Sequence, residues 1–221
     1  MKRFKTLSLK NDKNKIYLAI GDIHGHYREL GSLLEILEKK FPLDSPDYKL
    51  VFLGDYIDRG PSCVKTIKKI MEIKKKYKSL ILLGNHEYRL LTTNTMYGPS
   101  DIDPANMSWI QMFLANEGKL WISTPKFLFI HGGPITSQDD LDAMNPNEYL
   151  SNYDAPTEGW NGRTIVRGHK AVDVVTLDDQ RISVDTNVCC ATGGGQLSCA
   201  VLEGSTGNLL ETLSVDRSFL K

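Results

Sequence analysis

The sequence predicts an α/β fold whose first half is parallel and whose second half is rich in β-strands. Five short apolar runs are each followed at once by glycine or histidine. They are IYLAI, KLVFL, SLILL, FLFI and TIVR. Runs of this length, rich in Ile, Leu and Val, suit strands that are buried on both faces. Apolar residues recur at helical spacing between the first two runs, and more roughly between the second and third.

The spacing between the runs indicates how the strands connect. Asp55 follows Asp22 by 33 residues and Asn85 follows Asp55 by 30, which is about the ~30 residues of one strand–helix–strand unit. We therefore predict a βαβαβ first half. After His169, the segments VDVVTL, RISVDT, QLSCAVLE and NLLETLSV are separated by turn residues, which predicts hairpins.

We expect a single domain over residues 1–221, because one α/β unit commonly runs to ~200–250 residues. The apolar pattern weakens from residue 92 to residue 126, where a polar loop precedes a helix around MSWIQMFLANEG. We expect this segment, 92–126, to be an insertion on the substrate side of the sheet.

The composition excludes several classes of partner. Lys plus Arg number 27 and Asp plus Glu number 27, so the net charge offers no attraction to nucleic acid or to an anionic membrane. No segment holds the ~18 consecutive apolar residues of a spanning helix, and the basic N-terminus lacks the apolar part of a signal peptide. We expect a cytoplasmic protein with no nucleic-acid or membrane partner. The four cysteines contain no C-x-x-C pair and are expected to be structural thiols.

Polar side chains collect directly after the five apolar runs, and four of the five histidines are among them. In open α/β sheets, ligands bind beyond the carboxyl ends of the strands, where loops from separate parts of the chain converge. A lone histidine there is ordinarily structural, but this group as a whole indicates a functional site. The group is Asp22, His24, Asp55, Asp58, Arg59, Asn85, His86, His131 and His169.

These residue types suggest metal binding. Imidazole together with carboxylate suits Mn, Fe or Zn, whereas an all-oxygen set would favour Mg or Ca. The ligands are too many for one ion and divide better between two ions ~3.5–4 Å apart, with one carboxylate shared, as in sites for phosphoryl transfer. Asp22 and His24 are two residues apart in extended backbone, so both can reach the same ion.

The motifs GDIHG, GDYIDRG, GNHE, HGG and GH, in this order, resemble those of the calcineurin-like metallophosphoesterase superfamily. The DRG and GNHE forms resemble more specifically its phosphoprotein phosphatase family, the serine/threonine protein phosphatases. The chain is most similar to the compact bacterial and bacteriophage members, and the resemblance covers residues 16 to about 170. It implies a metallophosphoesterase-type β-sandwich core flanked by helices.

The resemblance also implies two metal ions, with Asp55 bridging them. The first ion would be held by Asp22 and His24, and the second by Asn85, His131 and His169. Water between two divalent cations ionises near neutral pH, so the implied reaction is direct attack of a metal-bound hydroxide on phosphorus.

The catalytic and phosphate-binding roles implied by the resemblance fall on four further positions. His86 would act as general acid, oriented by Asp58, while Arg59 would bind phosphate together with Asn85. The family usually has a second phosphate-binding arginine before the last metal histidine. Because residues 134–162 contain no arginine, we assign that role to Arg163.

We expect a two-metal phosphomonoesterase that acts on phosphoserine or phosphothreonine, with phosphotyrosine as a further option, in proteins or peptides. Mn²⁺ is the expected metal, with Fe or Zn as alternatives. A diadenosine-polyphosphate or other nucleotide pyrophosphohydrolase stays open, although such enzymes typically lack the aspartate and arginine of DRG. A phosphatase-like binding module without catalysis also stays open, although all six metal positions are filled. Residue types do not indicate the oligomeric state, and substrate selectivity is expected in segments 92–126 and 134–162.

Overall fold

The computed structural model of the chain describes residues 4–12, 14–98, 100–190 and 194–217. The strands in these ranges are β1 (Lys5–Ser8), β2 (Ile16–Ile20), β3 (Tyr48–Phe52), β4 (Ser79–Leu82), β5 (Gly118–Ser123), β6 (Phe127–Ile130), β7 (Thr164–Arg167), β8 (Thr176–Asp178), β9 (Arg181–Ser183), β10 (Gln196–Glu203) and β11 (Leu209–Asp216). The helices are α1 (Tyr27–Lys40), α2 (Cys63–Lys76), α3 (Asn85–Thr93), α4 (Pro104–Glu117) and α5 (Pro146–Leu150). Among the helices described here, none is both long and apolar enough to cross a membrane.

The predicted βαβαβ first half is confirmed. Strands β2, β3 and β4 pair in parallel, and helices α1 and α2 connect them. Each helix buries one apolar stripe, which includes Leu30, Leu33 and Leu37 in α1 and Ile67 and Ile70 in α2. Because the chain runs in the same direction along these three strands, their carboxyl ends lie at one edge of the sheet.

The C-terminal half returns to the first half through antiparallel strands. β10 pairs with β2 on one side and with β11 on the other, and β8 and β9 form a hairpin beside β7. The hydrogen-bonded order is β11-β10-β2-β3-β4-β5-β6-β7-β9-β8, with β1 paired to β5. The predicted β-rich second half is therefore confirmed.

The sheet folds over on itself. The ring of Tyr17 in β2 lies 6.1 Å from the ring of Phe127 and 5.1 Å from that of Phe129, both in β6. β2 and β6 are four strands apart, which would separate them by ~19 Å in a flat sheet with strands ~4.8 Å apart. One core of strand residues therefore lies between the two halves of the sheet, and a second core lies under the helices. This confirms the predicted sandwich core flanked by helices.

The segment 92–126 contains both a helix and a strand. Asp103 caps α4 by accepting a hydrogen bond from the Asn106 backbone N–H at 2.8 Å, and Pro104 follows it at the first helical position. Gly118 then begins β5, which pairs with both β4 and β6 in the interior of the sheet. Residues 118–123 therefore belong to the sheet itself. That the loop and α4 before them form a substrate-side insertion stays a prediction.

We expect Phe129→Ala to lower the free energy of unfolding by about 3–5 kcal/mol, because it removes a buried ring from the core between the two sheet halves. Urea denaturation of the metal-free protein, followed by circular dichroism, measures this. The control is Leu210→Ala on β11, where the side chain is 51% exposed and the expected change is within about 0.5 kcal/mol. A loss for Phe129→Ala as small as that of the control would contradict the folded-over sheet.

Candidate metal centre and cleft

The predicted polar residues meet at the carboxyl edge of the sheet, around the side chain of Asp55. Its Oδ2 atom lies 3.5 Å from Nε2 of His24, 3.6 Å from Nε2 of His86 and 3.3 Å from Nε2 of His131. Asp55 is shared by two groups of potential ligands, one with His24 and His86 and one with His131 and His169. Within each group the ligand atoms lie within 4.8 Å of one another.

Asp22 and Asn85 complete the set. The Asp22 carboxylate lies 3.9 Å from Nε2 of His24 and accepts a hydrogen bond from the His169 backbone N–H at 3.2 Å. The Asn85 side-chain oxygen lies 3.0 Å from Nε2 of His131. The structure therefore places the predicted metal-ligating residues from five separate loops around one carboxylate.

Backbone carbonyls orient two of the histidines. Nδ1 of His24 lies 2.8 Å from the carbonyl of Ile57, and Nδ1 of His131 lies 2.9 Å from the carbonyl of Leu53. Each Nδ1–H donates to its carbonyl, which leaves Nε2 directed at Asp55. Hydrogen bonds of this kind fix the tautomer and ring position of metal-binding histidines.

The backbone around the cluster is strained and closely packed. Among the described residues other than glycine, positive φ angles occur in this cluster at His24, Asp55, Asp58, Arg59 and His169. This conformation costs about 1–3 kcal/mol for each residue and concentrates at functional sites. Glycines allow the loops to approach each other. A Cβ atom at Gly84 would lie 2.0 Å from Oδ1 of Asp55, and one at Gly168 would lie 2.1 Å from Oδ1 of Asp22.

Two of the imidazoles are suited to bind a cation directly. Burial lowers the pKa of His24 and of His169 to about 4, so both rings are neutral near pH 7. In both residues Nε2 is buried and has no hydrogen-bond partner among the described residues. A buried lone pair without a partner is costly, and a divalent cation would satisfy it. Imidazole and carboxylate donors of this kind fit Mn, Fe or Zn.

The opposite charges of His131 and Asp55 shift the pKa of both groups. Burial alone would lower the pKa of His131, but the carboxylates of Asp55 and Asp22 outweigh it and raise the pKa to about 10. Burial alone would raise the pKa of Asp55, but the neighbouring histidines hold it well below its usual value. Both ring nitrogens of His131 face oxygen atoms. The neighbouring carboxylates therefore favour the charged form of His131.

A second arrangement lies beside this cluster. Nδ1 of His86 lies 2.6 Å from Oδ2 of Asp58, and both side chains are buried. The same Asp58 oxygen accepts a hydrogen bond from the Tyr97 backbone N–H at 3.1 Å. His86 opens onto a cleft of about 580 Å³ that Arg59 also lines. The complete lining is Arg59, Asn85, His86, Tyr97, Gly98, Ser151, Tyr153 and His169.

The structure corrects the expectation for Arg163, which is not part of the cleft. Its Nε donates to the carbonyl of Thr124 at 2.8 Å and its Nη1 to the carbonyl of Asn161 at 3.2 Å. Arg163 directly precedes β7, whereas His169 follows that strand. The length of the strand therefore separates its guanidinium from the metal centre, and Arg59 is the arginine that reaches the cleft.

Sequence reasoning missed Glu87, which organises the loop after β3. One oxygen of its fully buried carboxylate accepts hydrogen bonds from the backbone N–H groups of Asp55 at 2.8 Å and Gly84 at 3.0 Å. The other accepts from Tyr56 at 2.8 Å and Ile57 at 3.2 Å. Glutamate three residues after the helix N-cap is a known helix-start signal. That signal predicts the hydrogen bond from Gly84 but not those from the backbone of residues 55–57.

We expect Glu87→Gln to weaken divalent-metal binding about 10–100-fold, because one oxygen acceptor becomes an amide donor facing two backbone donors. The distortion would fall on Asp55, whose own backbone is held by Glu87. Calorimetric titration of the metal-free protein with Mn²⁺ measures the affinity. Glu35→Gln, on the exposed side of α1, is the control, and equal affinities for the two variants would contradict this role of Glu87.

We expect metal binding to release a proton, because a cation at this centre would replace the proton on Nε2 of His131. Below a pKa of about 10, the apparent affinity should therefore rise with pH, about tenfold per pH unit for one proton. Titrations with Mn²⁺ between pH 6 and pH 8, in buffers of different ionisation enthalpy, count the released protons. Affinity that does not change with pH would contradict the imidazolium at His131.

Comparison of sequences identifies relatives of part of the chain. Residues 17–203 match the family model described as calcineurin-like phosphoesterase. A serine/threonine-protein phosphatase, PP2A-like PPG1 from Candida albicans, is 40% identical over 78 residues. That match covers 34% of this chain and 18% of the relative. The chain therefore spans under a fifth of that relative's length, and the identity concerns only part of each protein.

Solved structures share the fold over nearly the whole chain. A candidate diadenosine tetraphosphatase has a TM-score of 0.70 and 20% identity, with 97% of this chain and 98% of that chain covered. A protein serine/threonine phosphatase from Saccharomyces cerevisiae, similar to human PP5, has a TM-score of 0.63 and 14% identity, covering 99% and 85%. A cold-active protein-tyrosine phosphatase from a psychrophilic Shewanella has a TM-score of 0.56 and 16% identity, covering 95% and 82%.

At 14–20% identity, the likeness to these solved structures shows a common fold. The family model matches most of the sequence, and the match includes every residue around Asp55. The shared carboxylate, the two groups of ligands and the neighbouring His86–Asp58 pair all lie inside the matched range. The chain belongs to the calcineurin-like phosphoesterase family.

Proposed function

We propose that this protein is a metal-dependent protein phosphatase that hydrolyses phosphoserine and phosphothreonine, and phosphotyrosine as well. The observation that carries the proposal is the buried hydrogen bond of 2.6 Å between His86 and Asp58. It gives the centre a proton donor whose Nε2 lies 3.6 Å from the shared carboxylate of Asp55. Hydrolysis of an alkyl phosphomonoester needs such a donor, because the alkoxide is a poor leaving group unless it is protonated.

The residues around Asp55 would hold two divalent cations, for which Mn²⁺ is proposed and Fe or Zn are alternatives. Such ions supply positive charge to the phosphoryl oxygens and lower the pKa of a water molecule towards 7. The first would be held by Asp22, His24 and Asp55, and the second by Asp55, Asn85, His131 and His169. The unpartnered Nε2 atoms of His24 and His169 support this assignment.

His86 would deliver the proton to the departing oxygen. Its Nδ1 lies against the Asp58 carboxylate, so Nε2 is the nitrogen left to face the cleft. The hydrogen bond to Asp58 keeps the ring in place. Asp58 is itself fixed by the backbone N–H of Tyr97. A positioned acid of this kind contributes ~10²–10⁴ in rate.

Arg59 would bind the phosphoryl group. Its side chain is exposed in the cleft, and its Nη1 atom lies 3.8 Å from the sulfur of Cys189. The planar guanidinium matches two phosphate oxygens at once. Since Arg163 lies elsewhere, Asn85 is the other side chain of the cleft proposed to contact phosphate.

A nucleotide pyrophosphohydrolase is the alternative enzyme, and the likeness to a candidate diadenosine tetraphosphatase fits it at the level of fold. The Asp58–Arg59 pair supports the phosphatase instead, because both residues have a place in phosphomonoester hydrolysis here. The partial relative from Candida albicans, a serine/threonine-protein phosphatase, supports the same choice. Phosphorylated proteins or peptides are the proposed partners, and a cytoplasmic location is proposed from the composition.

The proposal is tested by removing metal with a chelator, restoring Mn²⁺ and measuring turnover of phosphoserine, phosphothreonine and phosphotyrosine peptides beside diadenosine tetraphosphate. We expect peptide turnover that depends on Mn²⁺ and exceeds turnover of the dinucleotide. Asp55→Asn removes the shared charge and should lower kcat at least ~10²-fold, since both ions lose a ligand.

Asp44→Asn is the matched control, because Asp44 is exposed and precedes β3, whereas Asp55 follows it. It should leave turnover unchanged. Full activity of Asp55→Asn would exclude the two-metal centre. Preference for the dinucleotide would favour the pyrophosphohydrolase, and no hydrolysis by a metal-loaded protein would favour a binding module.

A further inference from the structure

Two exposed tyrosines flank the mouth of the cleft. Among the described residues, Tyr97 and Tyr153 are the aromatic side chains that are more than half exposed, each at 52%. Both line the cleft that contains Arg59 and His86. A ligand bound in this cleft would cover the apolar area that both rings expose.

Tyr97 lies beside the proton donor. Its ring centre is 4.6 Å from that of His86, and the Arg89 guanidinium lies 4.6 Å from the same ring. The backbone N–H of Tyr97 donates to the buried carboxylate of Asp58 at 3.1 Å. The residue is therefore held beside the imidazole that is proposed to donate the proton.

Tyr153 lies beside the other group of ligands. Its ring centre is 4.3 Å from that of His169, and the rings are inclined by 38°. Its backbone carbonyl accepts a hydrogen bond at 3.0 Å from Arg167, a side chain that is 1% exposed. Asn152 ties the same loop to the carbonyl of Pro134 at 2.7 Å. The loop that carries Tyr153 is thus anchored to a buried cation.

The position of the tyrosines decides which kind of ligand can reach them. A ring next to His86 can be contacted by a group that is bonded directly to the departing oxygen. The phenol ring of phosphotyrosine is such a group, and it can stack on aromatic side chains in offset or edge-on geometry. The methyl group of phosphothreonine offers an aromatic side chain far less apolar area than a phenol ring does. A nucleobase is separated from its phosphates by a ribose.

We infer that Tyr97 and Tyr153 form an aromatic clamp that favours phosphomonoesters with an aryl leaving group, which in a protein means phosphotyrosine. The inference rests on the proposed function and specifies its substrate class. It also assigns selectivity to one residue in each of the segments 92–126 and 134–162. Neither residue would take part in the chemical step, because the clamp binds the leaving group and His86 protonates it.

The test compares two peptides of identical sequence that carry either phosphotyrosine or phosphothreonine at the same position. We expect Tyr97→Ala and Tyr153→Ala each to lower kcat/KM for the phosphotyrosine peptide about three- to tenfold more than kcat/KM for the phosphothreonine peptide. Taking the ratio of the two losses cancels the intrinsic difference between aryl and alkyl leaving groups. Tyr97→Phe and Tyr153→Phe keep the ring and should retain the preference, while Leu210→Ala is the remote control.

A second measurement separates this inference from the proposed function. Binding of phenylphosphonate and of methylphosphonate to the Mn²⁺-loaded protein is measured by calorimetry, which needs no turnover. The clamp predicts tighter binding of phenylphosphonate, and loss of that preference in both alanine variants. If neither peptide is hydrolysed, the proposed function fails, and the phosphonate preference alone decides the clamp.

Two results would overturn the inference. One is an equal loss for both peptides in the alanine variants, or no loss for either, which would show that the rings do not distinguish the leaving groups. The other is a loss confined to diadenosine tetraphosphate, which would show that the tyrosines stack on a nucleobase. Absence of any phosphonate preference in the wild-type protein would overturn it as well.

Discussion

The structure of the centre depends on the placement of one buried carboxylate, that of Asp55. Three imidazoles approach the same oxygen, and the His86 backbone N–H donates to the other at 3.1 Å. A buried carboxylate is tolerated only when opposite charge and hydrogen bonds compensate the loss of water. Glu87 supplies the backbone geometry that makes this possible, because it holds residues 55–57 in the turn that directs the carboxylate into the cluster.

The folded sheet explains how residues so far apart in sequence reach that carboxylate. Parallel strands deliver consecutive loops to one edge, and the fold-over shown by the Tyr17 and Phe129 rings brings the second half of the sheet back over the first. Two of the histidines, His131 and His169, arrive from that second half. The two groups of ligands that share Asp55 therefore depend on the packing between the sheet halves as well as on their own loops.

The cleft combines a buried floor with an exposed rim. Its floor is held by buried hydrogen bonds, such as that between His86 and Asp58. Its rim carries exposed rings on loops that are themselves tied to buried charges, Tyr97 through Asp58 and Tyr153 through Arg167. Preorganised side chains lose little freedom on binding, so a rim built in this way can select a leaving group without altering the groups that carry out the reaction.

The sequence by itself determined the α/β class, the order of the first strands and helices, and the residue types at the strand ends, because these follow from local periodicity and turn residues. It did not determine contacts between elements distant along the chain. Arg163 was misplaced because strand length separates it from His169. Glu87 had a local signal only for its bond to Gly84, and Tyr97 and Tyr153 had none for the rings they meet. Only the tertiary structure decided these positions, since they depend on how the sheet halves and loops pack together.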